Sequence, residues 1–161
     1  MEIETLAAAL EREHQQIDDG IAIFESGSHA GKQSLLRAIH ALRRHIYLEE
    51  ELLFPLLRES EPALYASIFV MLREHGQLWQ VLDSLEQEPN LTGSSGDVRT
   101  LCRQLTVLLV HHNPKEEKVL YPRADVLLPE PAAARLREFM ASGQLPAGWT
   151  CAKAEGTRSS S

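Results

Sequence analysis

The sequence predicts an all-α fold, a four-helix bundle with a short fifth helix near the C-terminus. Three observations predict it. Apolar residues recur at helical spacing along the whole chain, and no segment alternates apolar with polar residues as a half-buried strand would. The chain also repeats itself. His45-Ile46-Tyr47-Leu48-Glu49-Glu50-x-x-Leu53-Phe54-Pro55 returns as His112-Asn113-Pro114-Lys115-Glu116-Glu117-x-x-Leu120-Tyr121-Pro122, and the shorter Arg12-Glu13-His14-x-Gln16-Ile17 returns as Arg73-Glu74-His75-x-Gln77-Leu78. The order short, long, short, long gives each helix one phrase.

Each element has its own signals. Helix one carries Ile3, Leu6, Leu10, His14, Ile17, Ile21 and Phe24 on one stripe and ends in the glycines Gly27 to Gly31. Helix two carries Leu35, Ile39, Leu42, His45, Glu49, Leu52 and Leu56, and closes around Pro55 to Glu61. Pro62 suits the first turn of helix three, whose stripe is Ile68, Met71, His75, Leu78, Leu82 and Leu85. The Gly/Ser-rich stretch Pro89 to Asp97 is a loop ending in an expected N-cap, Asp97. Helix four carries Leu101, Leu105, Leu108, His112, Glu116 and Val119, with a local kink or bulge expected at Pro114, which has no N–H for Val110. The fifth helix is expected over roughly 131–141, packed across one end. The folded domain is expected to span 1–145, and 146–161, ending AKAEGTRSSS, to be a disordered tail.

Bulk properties remove several classes of function. The chain has 161 residues, enough for one domain with a sizeable core, and its net charge of −7 opposes a nucleic-acid surface. Its longest apolar run, Leu105 to Val110, is far too short to span a bilayer. The acidic N-terminus lacks the basic start of an export signal, so a cytoplasmic location is expected. Cys102 and Cys151 have no ligand-like partners nearby and read as reduced and incidental.

What remains is a metal site. His14, His45, Glu49, His75, His112 and Glu116 fall on the apolar stripes themselves. A buried histidine alone is more often a hydrogen-bonded core residue than a ligand. Two carboxylates facing one core are different, because burying an unpaired carboxylate costs several kcal/mol. His45/Glu49 and His112/Glu116 stand at i, i+4, so each pair shares a helix face. The separations His14 to His45 and His75 to His112, 31 and 37 residues, suit two antiparallel helices joined by a short loop. Imidazole with carboxylate selects iron, manganese or zinc. With only these side chains, two ions keep open positions unless the glutamates bridge them.

Among the neighbours, Glu13, Glu50, Glu74 and Glu117 are turned about 100° from the ligand positions and read as surface acids or supports for the ligands. His111 is expected to border the core, His40 to face solvent, His29 to lie in a loop, and Phe54 and Tyr121 to plug the core.

These residues resemble the hemerythrin-like (HHE cation-binding) family over about Leu6 to Pro122. That family shows a lone His in helix one, His-x3-Glu in helix two, His in helix three and a second His–carboxylate pair in helix four. Here those places are His14, His45 with Glu49, His75, and His112 with Glu116. The twin His-x3-Glu form is most similar to bacterial hemerythrin-like proteins and to the di-iron domain of iron–sulfur cluster repair proteins. The resemblance implies an up-down-up-down antiparallel bundle and a di-iron site bridged by both carboxylates and an oxo or hydroxo group, with Zn or Mn as substitutes. It implies binding of, or reaction with, O2, NO or peroxide, or else a metal- or redox-responsive interaction module. One departure stands out. Oxygen-carrying hemerythrins place a second histidine four residues after the first in helix three, and here that place is Trp79. An indole N–H cannot coordinate, so irreversible oxidation or reaction with NO is expected over oxygen storage.

Overall fold

The computed structural model describes residues 3–154, which contain helices and connecting segments and no strand. Helix α1 (Leu6–Glu25) starts at Thr5, whose side chain accepts from the Ala8 amide. Helix α2 (Gly31–Tyr47) passes through a π-helical turn, Leu48–Leu53, into α3 (Phe54–Ser60). A short 3-10 turn opened by Pro62 leads into α4 (Tyr65–Gln87). Helix α5 (Gly96–Lys115) runs through a second π-helical turn, Glu116–Leu120, into α6 (Tyr121–Leu127), and α7 (Glu130–Ser142) follows. The main packing is of α1 on α2 and α4 on α5, with α6 against α1 and α7 lying across α1 and the first π turn.

Both π turns lead into a proline. Pro55 and Pro122 have no N–H for an ordinary bond to the carbonyl four residues back, and at these two places the helix takes the wider spacing. The amides of Phe54 and Tyr121 instead reach back five residues, to the carbonyls of Glu49 and Glu116. Each bulge thus closes on a glutamate of the expected site. Pro114 itself is carried within α5, and the bulge follows it rather than surrounding it.

The inserted residue rotates everything after it. Leu53 and Leu57 are buried where Leu52 and Leu56 were expected to be, and Leu120 is buried while Val119 is 45% exposed. Ile3, expected on the first stripe, is exposed ahead of the helix. The cap of α5 is Ser95, which accepts from the Val98 amide; Asp97 lies in the first turn.

The apolar core is divided in two. One cluster is built on Ile17, Ile21, Leu35, Leu42, Leu78, Leu82, Leu105 and Leu109, the other on Leu6, Leu10, Leu53, Phe54, Ile68, Met71, Leu120 and Tyr121. The buried His and Glu residues lie between these clusters in sequence on every long helix.

The expected disordered tail is corrected over 146–154. Cys151 and Ala154 are buried in the core, and the Trp149 ring meets Tyr47 and Trp79 edge to face at 5.1 and 5.5 Å. The Trp149 indole donates to Glu51, and the Ala152 amide to Glu50. Close seating requires Gly76, where a Cβ would come within 2.9 Å of the Lys153 carbonyl oxygen. Composition alone missed this because the anchors are single residues in a polar stretch. The rest of the expected tail, 155–161, lies outside the described residues.

Candidate metal centre

All six expected ligands converge. His14, His45, Glu49 and Glu116 form one group, and Glu49, His75, His112 and Glu116 a second, with the two glutamates common to both. Every member is buried, and within each group the donor atoms lie within 4.8 Å of one another. Each carboxylate divides its oxygens between the groups. Glu49 Oε2 lies 3.3 Å from His45 Nε2 and Oε1 lies 3.1 Å from His75 Nε2. Glu116 Oε1 lies 3.1 Å from His14 Nε2 and Oε2 lies 3.2 Å from His112 Nε2. Glu116 therefore faces the centre despite Pro114.

The outer nitrogens are held by one repeated device. Nδ1 of His14, His45, His75 and His112 meets Glu117, Glu13, Glu50 and Glu74 at 2.7, 2.8, 2.7 and 2.8 Å. These are the acids expected to be turned from the ligand positions. A carboxylate on Nδ1 fixes ring orientation and leaves Nε2 as the inward atom. The supports are themselves anchored. Glu13 accepts from Arg44, Glu74 pairs with Lys115, and Glu50 accepts the Ala152 amide.

The donors suit a cation. His75 Nε2 lies 3.1 Å from Glu49 Oε1 and 3.6 Å from Glu116 Oε2, yet all three atoms are buried without a hydrogen-bond partner. Such atoms are costly unless something binds them. In the metal-free protein protons substitute. Burial opposes a charged imidazole, but Glu49 and Glu13 raise His45 to about 10, and Glu116 and Glu74 raise His112 to about 9. Burial likewise opposes the Glu116 carboxylate, and His112, His14 and His75 hold its pKa well below the usual range.

Tyr121 plugs the core as expected, but sequence reasoning missed what its hydroxyl does. Its ring is buried in the core, but its hydroxyl enters the first ligand group, 2.6 Å from Glu49 Oε2 and 2.9 Å from Nε2 of both His14 and His45. Burial and the two glutamates push this phenol's pKa well above its ordinary value in the metal-free cluster. The one available signal was the Phe54/Tyr121 difference between the repeats.

Other residues fall outside the centre. His111 does not border the core: its side chain is 68% exposed beside Lys115. His40 is exposed and His29 lies in the turn between α1 and α2, both as expected. Trp79 packs in the apolar core under the Arg43 guanidinium, 4.4 Å from its ring centre. Both cysteines are free and buried, and burial raises each thiol to about 11. A cavity of about 540 Å³ between α1 and α5 reaches His14 and Glu117 from outside. No helix among the described residues is long and apolar enough to cross a membrane.

Comparison with known proteins agrees with this arrangement. The model of the hemerythrin HHE cation binding domain matches residues 5–124, which hold all six converging side chains. No curated protein and no solved structure gives a match. A match over most of the chain, with the buried His/Glu cluster inside it, means that the protein belongs to the hemerythrin HHE cation-binding domain family and carries a metal-binding site of histidines and glutamates.

Proposed function

We propose that this is a non-haem di-iron protein whose four long helical runs form an up-down-up-down antiparallel bundle, and that it binds or reacts with a small ligand (O2, NO or peroxide) in the cytoplasm. The observation that carries the two-ion reading is the division of the carboxylate oxygens. Glu49 and Glu116 each offer one oxygen to the His14/His45 side and one to the His75/His112 side. The bundle topology is supported by the order of the apolar clusters along the chain. Leu6 and Leu10 precede His14 and Ile17 follows, whereas Leu35 and Leu42 precede His45 and Leu53 follows; α4 and α5 repeat that reversal.

Neutral imidazoles with carboxylates suit iron, with manganese or zinc as substitutes. Bound iron supplies one-electron chemistry and an open position for a diatomic ligand. His14, His45, His75 and His112 orient their Nε2 atoms inward, and their supporting glutamates hold that orientation. The two apolar clusters exclude water from above and below. The cavity at His14 and Glu117 offers a path for a small ligand. The test is iron content and visible absorption of protein purified with and without oxygen. Two irons per chain and colour that changes on oxidation are expected; a colourless protein holding zinc or no metal would contradict the reading.

One observation favours a second reading, a metal- or redox-responsive module without turnover. Glu50 supports His75 and also holds the Ala152 amide, so a change at the centre has a direct route to the C-terminal segment.

A further inference from the structure

We propose that the phenol oxygen of Tyr121 is an additional donor to the ion held by His14 and His45, so that the two ion positions are chemically unequal. This rests on the two-ion reading above. The Tyr121 hydroxyl lies 2.9 Å from His14 Nε2, 2.9 Å from His45 Nε2, 2.6 Å from Glu49 Oε2 and 3.2 Å from Glu116 Oε1. Those residues are the four members of the first ligand group. Hydrogen bonding does not account for the placement, because a phenol has one proton to donate and two lone pairs, fewer partners than the four it meets. Coordination does. With metal–donor bonds of about 2.0–2.2 Å, donors on adjacent corners of an octahedron stand about 3 Å apart. The four contacts cluster around that spacing, so the oxygen stands where a fifth donor would.

The second ligand group has no equivalent. Phe54 follows Glu49 by the same five residues that separate Tyr121 from Glu116, and both follow a π turn. Phe54 carries no oxygen, and its ring stacks on His75 at 5.7 Å and 12°. The pseudo-repeat therefore brings a phenol to one ion and a hydrocarbon ring to the other. A phenol that coordinates exchanges its O–H bond for an O–metal bond and releases the proton to solvent, as other metal-bound acids do. The position beside His75 and His112 then has one protein donor fewer than the position beside His14 and His45.

The experiment is resonance Raman and visible absorption on the full chain loaded with ferrous iron and oxidised in air, with iron per chain measured on the same samples. Wild type should show tyrosinate ring modes enhanced through a phenolate-to-iron band. Tyr121→Phe, which removes one oxygen, should keep its iron and lose both signals. Two irons per chain without tyrosinate modes would overturn the Tyr121 assignment and leave the two-ion reading intact. One iron per chain with the modes lost only in Tyr121→Phe would support the assignment and overturn the two-ion reading. Modes that persist in Tyr121→Phe would come from another tyrosine and overturn the assignment. Should Tyr121→Phe fail to load, Tyr47→Phe and Tyr65→Phe, which change the other two tyrosines, decide the matter: modes kept in both support coordination by Tyr121, and modes lost in either, or absent from wild type, refute it.

Discussion

Glu50 holds His75 Nδ1 at 2.7 Å with one carboxylate oxygen and accepts the Ala152 amide at 2.9 Å with the other. A single side chain thus orients an inward-facing imidazole and seats a segment that lies beyond the matched family region. Glu50→Ala should weaken metal binding about 10–100-fold, the usual effect of removing a support behind a histidine ligand. Competition against a chelator of known affinity measures it. An unchanged affinity would mean that His75 needs no such support.

Gly76 should be as sensitive as a core residue. Its missing Cβ is what lets the Lys153 backbone approach. Gly76→Ala should destabilise by about 1–3 kcal/mol through overpacking. It should also speed labelling of Cys151 by a thiol reagent while Cys102, buried on α5, reacts as before. Equal, slow labelling of both thiols would show that the C-terminal segment seats without help from Gly76.

The helices and six site residues were legible because one signal carried both. His14, His45, Glu49, His75, His112 and Glu116 stand on apolar stripes, where polar groups need a reason. What periodicity could not register was the extra residue in each π turn, which moves burial from Leu52 to Leu53 and from Val119 to Leu120. Pro55 and Pro122 mark the places of that shift, but a stripe read at constant spacing runs straight through it. Tyr121 was legible as a core residue but not as a neighbour of the site, because its ring belongs to the core and only its hydroxyl reaches the cluster. His111 was misplaced by about a quarter turn, enough to put it in solvent.

The metal-free protein should lose stability as the solution becomes alkaline. An imidazole near 6.5 when unfolded is raised in the fold to about 10 at His45 and about 9 at His112. Groups raised in the native state stabilise fully below the unfolded value, and that stability disappears as pH rises through the folded values. Melting temperature in chelator should therefore fall between about pH 6.5 and 10. Metal affinity should move the opposite way, because the ion must displace those protons. A metal-free melting temperature that is flat or rising over this range would contradict the proton-filled cluster.

Glu49→Ala and Glu116→Ala should each lose the second ion, since each carboxylate serves both sides. Both variants should also lose the stabilisation that metal gives, about 2.7 kcal/mol at a hundredfold excess over the dissociation constant. Metal analysis with melting curves, with and without chelator, checks both parts. Two ions retained in either variant would mean that its carboxylate does not bridge.

The most direct measurement is anomalous diffraction at the iron edge from crystals of the iron-loaded protein. Two peaks are expected less than about 4 Å apart, one among His14, His45 and Tyr121, the other among His75 and His112, with Glu49 and Glu116 spanning both. A single peak, or two that neither glutamate connects, would contradict a carboxylate-bridged pair.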